Sequence, residues 1–145
     1  GPDEGEAPAV RAAIADACMG DRLEWIGAVP PHQTEALLAS ARVYVLPSFG
    51  EVFPMTILES LRVGTPVVTT DSLGIAVECE RFGAAHVTDG SPERLAESVS
   101  RVFTREGEPA RLRAGGEEFL RAKLDVAKVV AVLEAWYVRQ AEATA

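Results

Sequence analysis

Cysteine is scarce in this 145-residue chain, where Cys18 and Cys79 stand alone, outside any CxxC pair and with no histidine at ligand spacing. A disulfide framework and a cysteine-based zinc site are therefore not expected, and a reducing compartment fits. Positive charge is also in the minority: 14 basic against 22 acidic residues give a net charge of −8. Broad electrostatic docking on nucleic acid or anionic lipid needs a positive face, so neither partner is expected; a local cationic pocket stays open. No apolar run reaches the roughly 18 residues of a membrane span, and the first residues lack the apolar core of a signal peptide. The expected location is the cytoplasm, with peripheral membrane association open for a full-length protein. Two motifs are missing as well: no Asp-x-Asp triplet and no Gly-x-Gly-x-x-Gly turn occurs.

What is present suffices for one domain with a real core: 48% of the residues are hydrophobic. Four short apolar runs bounded by Gly, Pro or Asp read as buried strands: "LEWIGAV" (23–29), "RVYVLPS" (42–48), "TPVVTTD" (65–71) and "GAAHVTD" (83–89). Between them "PHQTEALLASA", "PMTILESLRVG" and "SLGIAVECERFG" repeat their apolar residues at helical spacing. Strict alternation of strand and helix predicts an α/β fold, a Rossmann-like parallel sheet with helices on both faces. In "SPERLAESVSRVF" Ser91 is the expected N-cap and Pro92 the first helical residue, with Leu95, Val99 and Val102 or Phe103 on the buried face. The stretch 104–118 reads as a surface turn before a helix at Glu117–Lys123. A closing helix over 124–143 carries a wide apolar stripe through Val126, Val129, Val130, Leu133, Trp136 and Tyr137 that calls for a cover. The chain opens on turn residues and a helix, whereas a parallel α/β domain opens on a strand; the first strands are expected upstream of Gly1, and Gly1-Pro2 matches a common protease remnant.

The candidate site lies in "PSFGEVFPMTILESLRVGTPVV" (47–68), which places Glu51 and Glu59 eight positions apart. The strand ahead of it ends at Pro47-Ser48, so Glu51 is expected at the carboxyl edge of the sheet, where open α/β folds bind ligands. Pro54 suits the first helical position, and the N–H groups of Val52, Phe53, Met55 and Thr56 then lie at a helix start with few acceptors. Free donors beside a carboxylate suit a polyhydroxylated ligand. Glu59 follows along the helix at ~1.5 Å per residue, far enough to hold a second ring of one extended molecule. Gly64 and Pro66 end the helix. The plainer readings are a solvated Glu51, a Glu59 paired with Arg62 at i+3, and a Phe53 that anchors the loop in the core. His32 is expected in a loop and His86 in a strand, both without a carboxylate partner, and Cys18 and Cys79 as small helix-packing residues.

This stretch resembles the signature of the family 4 retaining glycosyltransferases of the GT-B fold, approximately P-S-x-x-E-x-F-G/P-x-x-x-L-E-A-x-x-x-G-x-P-V-V. "DRLEWIGAV", "EALLASARVYVLPS" and "DGSPERLAESVSRVF" resemble further segments of that family, so the likeness covers most of the chain. It implies the C-terminal, nucleotide-sugar-binding domain over 1–145, with the acceptor bound by an absent N-terminal domain. Carried over residue by residue, Glu51 is the catalytic-site carboxylate that meets the hydroxyls of the transferred hexose. The amides of Val52, Phe53, Met55 and Thr56 meet the hexose or diphosphate, Glu59 the ribose, and Gly27 to Val29 the base. The implied activity is transfer of a hexosyl group from a UDP- or GDP-hexose to a glycan, lipid or small-molecule acceptor, with retention, no cofactor and no metal.

This chain departs from the family at several points. Pro54 stands where many relatives carry Gly, and "TTDSLGIAVECERFG" lacks the common Gly-Gly-x-Pro-Glu, with Leu73 for the first Gly and Ala76-Val77 for Pro-Glu. The arginine and lysine that clamp the diphosphate belong upstream of Gly1, so the chain as given is not expected to turn over. Two other readings stand beside it: a non-catalytic nucleotide-sugar-binding or assembly module of the same fold, and a flavodoxin-like or dinucleotide-binding domain. The last would want an Asp where Pro47 stands, or the absent glycine-rich turn.

Overall fold

The computed structural model describes residues 5, 7–19 and 22–143 and divides into two compact units, residues 1–34 and 35–145. The first holds α1 (Ala7–Asp16) and the start of α2 (Pro31–Ser40). Helix α1 ends where Cys18 takes a positive φ of 52° and the Met19 N–H donates to the Ile14 carbonyl at 3.3 Å, a left-handed stop of the kind that closes helices. Cys18 is thus an exposed terminating residue beyond α1, not the helix-packing residue expected. The expected strand at 23–29 is absent: the segment has no ladder partner among the described residues, and Leu23, Trp25 and Ile26 stay exposed. Apolar content alone does not make a strand without a neighbour to pair its backbone. Trp25 is covered on one side by the Arg11 guanidinium, 5.5 Å from its ring centre.

The second unit contains the sheet. Strands β1 (Tyr44–Leu46), β2 (Val67–Thr70) and β3 (Ala85–Thr88) lie side by side in that order, all parallel, with Tyr44 opposite Val67 and Val67 opposite Ala85. The crossovers are α3 (Met55–Arg62) and α4 (Ala76–Arg81); α5 (Pro92–Thr104), α6 (Glu108–Lys123) and α7 (Val126–Ala143) follow. Successive residues of a strand face opposite sides, and β2 shows the result. Val67 enters a cluster with Ile57, Leu58 and Leu61 of α3, Cys79 of α4 and Phe119 of α6. Val68 enters another with Val102 and Leu112, flanked by Leu95 and Val99. Both valines are fully buried, so the sheet is covered on its two faces and the fold class is the α/β arrangement expected from the alternation. Val102 is the buried member of its pair, while Phe103 stays exposed with the Arg42 guanidinium stacked 4.6 Å from its ring centre. Cys79, fully buried, does pack a helix, and burial pushes its thiol up to about 11.

Other details depart from expectation. Helix α6 starts at Glu108, not near Glu117, and runs through Gly115-Gly116. Glycine costs a helix interior ~1 kcal/mol against alanine, which is why the stretch reads as a turn. Here both glycines are contact points: a Cβ on Gly115 would overlap the Gly83 carbonyl, and one on Gly116 would stand 3.0 Å from Leu61 Cδ2. Packing decides the structure against propensity. His32 lies in α2 instead of a loop, and Ser91 is the N-cap of α5 by position, its hydroxyl given to Asp89 at 2.7 Å instead of to the helix. The α7 stripe is exposed, from Val126 at 75% to Trp136 at 48%, with the Trp136 and Tyr137 rings edge to face at 5.1 Å.

His86 does have a carboxylate partner. Its Nε2 lies 2.9 Å from Oε1 of Glu108, at ion-pair distance but without hydrogen-bond alignment. Glu108 is 3% exposed beneath the guanidinium groups of Arg111 and Arg105, 2.6 and 3.8 Å from its oxygens. Burial lowers the His86 pKa below 6.5, with Arg101 and Arg111 acting in the same sense and Glu108 against it. The Arg111 hydrogen bond holds the Glu108 carboxyl below 4.5. Both shifts have one sign for stability: the folded state is favoured above the ordinary pKa of each group and loses that advantage as pH falls through the lower folded value.

Urea unfolding should therefore show stability falling as the pH drops below about 6.5, with a flatter profile in His86→Gln; equal slopes would remove His86 as the cause. Gly115→Ala should destabilise by roughly 1–3 kcal/mol because the blocking atom is backbone. Gly116→Ala meets only a side-chain end and should be close to neutral, so the reverse order in thermal denaturation would contradict this account of α6.

Candidate donor site at the carboxyl edge of the sheet

The segment after β1 rises from Pro47 to α3 at the carboxyl edge. Residue 54 is one step short of its expected place. With ψ at 96° Pro54 is the extended N-cap residue, and the helix begins at Met55. The Ile57 N–H reaches the Pro54 carbonyl at 3.1 Å, whereas the N–H groups of Val52, Phe53, Met55 and Thr56 have no backbone acceptor among the described residues. Val52, Phe53 and Met55 are exposed by 80, 50 and 56%. Phe53 is therefore not the core anchor expected; it stands half in solvent beside the open amides.

Helix α3 buries Ile57, Leu58 and Leu61, which turns Glu59 outward. The expected pair between Glu59 and Arg62 does not form: Arg62 reaches Glu35 Oε2 at 2.8 Å instead. Glu59, half-buried, lines an open groove of about 430 Å³ with Met55, Leu58, Arg62, Leu120 and Leu124. Glu51 is exposed, and neither glutamate side chain has a hydrogen-bond or ion-pair partner among the described residues.

Tyr44, which sequence reasoning passed over as one more strand residue, connects the two. Its hydroxyl donates to Thr56 Oγ1 at 2.8 Å, and its pKa is raised, by burial first, against the Thr56 hydrogen bond, and further by the charges of Glu51 and Glu59. Both carboxylates thus act on one phenol through their charge, while Thr56 is the group that touches it. The available signal was a phenol in an otherwise aliphatic strand directly before the site. Gly27 and Val29 belong to the first unit, in a segment without strand pairing where Gly27 has a φ of 68°. No cluster of three or more His, Cys, Asp or Glu able to hold a metal occurs among the described residues.

Two open carboxylates, a row of unpaired amides and a helix start form an acceptor-and-donor array suited to a ligand rich in hydroxyls and bearing an anion. Comparison with known proteins gives the family. The sequence profile "Glycosyl transferases group 1" matches residues 3–119. This chain belongs to the glycosyl transferases group 1 family. A D-inositol 3-phosphate glycosyltransferase from Acidothermus cellulolyticus is 30% identical over 95 residues, 65% of this chain and 21% of that protein. A GDP-mannose-dependent alpha-(1-6)-phosphatidylinositol dimannoside mannosyltransferase from Mycobacterium tuberculosis strain H37Ra is 31% identical over 102 residues, 70% of this chain and 26% of its own length. Among solved structures, sucrose-phosphate synthase from Thermosynechococcus elongatus superposes with a TM-score of 0.79 at 20% identity, over all of this chain and 36% of that one. That likeness supports the GT-B-type α/β fold. The chain thus spans about a quarter of the length of these curated relatives, 21 and 26%. No helix among the described residues is long and apolar enough to cross a membrane.

The charge that both glutamates exert on Tyr44 can be read from its ionisation. Glu51→Gln and Glu59→Gln should each bring the Tyr44 pKa down toward 10.0, followed by the ring-carbon NMR signal that Tyr44→Phe removes. A Tyr44 titration indifferent to both substitutions would mean that the carboxylates do not converge there.

Proposed function

We propose that this chain is the donor-binding half of a retaining glycosyltransferase that moves a hexosyl group from a UDP- or GDP-hexose to an acceptor held by another domain. The observation that carries this reading is the pair of unpartnered carboxylates, Glu51 and Glu59, beside four backbone amides without acceptors at the carboxyl edge of the sheet. In this reading Glu51 accepts hydrogen bonds from hexose hydroxyls, Glu59 accepts from the ribose hydroxyls, and the amides of Val52, Phe53, Met55 and Thr56 donate to the hexose or diphosphate.

The chemistry follows from donors fixed where charge develops. As the bond between the anomeric carbon and the diphosphate lengthens, negative charge gathers on the leaving oxygen and positive charge on the sugar. Fixed N–H dipoles stabilise the first and a fixed carboxylate the second, with no reorganisation at the moment of reaction. An acceptor hydroxyl attacks the same face of the anomeric carbon, that carbon–oxygen bond breaks, and the hydroxyl proton passes to the departing phosphate oxygen. Configuration is retained. Glu51 orients and stabilises; it forms no bond to the sugar.

The two glutamates separate in a binding experiment on the full-length protein. Glu59→Ala should weaken UDP or GDP and their hexose conjugates alike, by roughly tenfold, about 1.4 kcal/mol. Glu51→Ala should weaken only the conjugates, and in turnover should lower kcat more than nucleotide affinity. Equal losses on bare nucleoside diphosphate from both substitutions would overturn the assignment.

A further inference from the structure

Segment 48–52, which carries Glu51, has no regular secondary structure, yet it is fastened along its length to the segments that follow β2 and β3. The Ser48 carbonyl accepts from Thr70 Oγ1 at 2.5 Å and Ser72 Oγ at 3.1 Å. The Phe49 ring lies over Gly90, where a Cβ would come within 3.0 Å of it. The Glu51 carbonyl accepts the Gly74 N–H at 3.1 Å. The next carbonyl, that of Val52, presses on the Gly74 Cα so closely that a Cβ there would overlap its oxygen.

Gly74 differs from most glycines of this chain in why it must be glycine. Among the described residues seven other glycines have positive φ, but Gly74 is not one of them, so its backbone does not call for glycine and only space excludes a side chain. The space is that taken by the Val52 carbonyl, one residue beyond Glu51. We infer that Gly74 is a positioning residue for Glu51: its N–H holds the Glu51 carbonyl, its missing side chain admits the Val52 carbonyl, and together they set where the Glu51 carboxylate meets the hexose. This rests on the donor-site reading above and adds to it a residue 23 positions away in sequence. The consequence is steep, because an ångström of misplacement in an active-site group can cost ~10²-fold in rate, and a Cβ at residue 74 forces a shift of that order.

The test is a mutant cycle in the full-length protein, reading the affinity gained by UDP-glucose over UDP and by GDP-mannose over GDP. Gly74→Ala should lose about tenfold of the sugar-dependent gain and cost the bare nucleotides less than that, since the Val52 and Phe53 amides move with the same peptide, and Glu51→Gln with Gly74→Ala should lose no more of the sugar-dependent gain than Glu51→Gln alone. If Gly74→Ala fails to fold, Thr70→Val with Ser72→Ala, which removes only the hydroxyls on Ser48, should give the same selective loss at about threefold. A Glu51→Gln effect that is present while the residue 74 effect is absent, additive or equal on bare nucleotide overturns the positioning role and leaves the donor reading standing. No effect of Glu51→Gln, or no binding of either conjugate to the wild type, overturns both.

Discussion

The burial of one face of α3 fixes the site. Ile57, Leu58 and Leu61 are 0, 8 and 3% exposed against Val67 of β2, Ala85 of β3 and Phe119 of α6. Full burial of three such side chains contributes several kcal/mol, at about 1.5–3 each. Nothing on the outer face approaches that, so the helix cannot rotate to suit its polar residues. With 57, 58 and 61 inside, 55, 59 and 62 must face out. The free amides at the helix start and the carboxylate of Glu59 are placed by the apolar residues between them.

The same constraint explains why a weak ion pair matters. The bridge from Arg62 to Glu35 joins two side chains 60 and 59% exposed, and such pairs contribute on the order of 0–1 kcal/mol. Its effect on stability is small. Its effect on the site is to occupy the cation nearest in sequence to Glu59, which leaves that carboxylate with its acceptor capacity unspent. A carboxylate satisfied by its own helix would have little reason to release a partner for a ligand.

The fold class, both covered faces of the sheet and the crossover helices were legible because they rest on local periodicity: valine pairs in short runs, and leucines and isoleucines at helical spacing. The candidate site could be drawn from the sequence for a similar reason, since Glu51, Pro54 and Glu59 lie within one short stretch that runs from the end of β1 into α3. What could not be read depends on contacts distant in sequence. Gly115-Gly116 signals a turn until Gly83 and Leu61 are seen to need that space. Glu108 pairs with His86 across 22 positions, Tyr44 with both glutamates through a helix start, and Gly74 with a loop more than 20 residues earlier. Residues 23–29 show the opposite failure, where a good apolar pattern met no partner strand.

Two kinds of carboxylate emerge from this comparison. Glu108 is almost fully enclosed, hydrogen-bonded to Arg111 and close to Arg105 and His86, and its pKa is lowered by those cations. It is ionised because the structure surrounds it with positive charge, and a ligand hydroxyl could add little. Glu51 and Glu59 are open or half-open, have no cation of their own among the described residues, and both raise the pKa of the same phenol. A carboxylate must be hydrogen-bonded by something as it loses water, and these two leave that place to whatever binds. In a chain of net charge −8, two acidic groups without a cation partner among the described residues oppose folding slightly through repulsion. They are tolerable because they remain hydrated when the site is empty, and useful because hydroxyl groups can replace that water one for one.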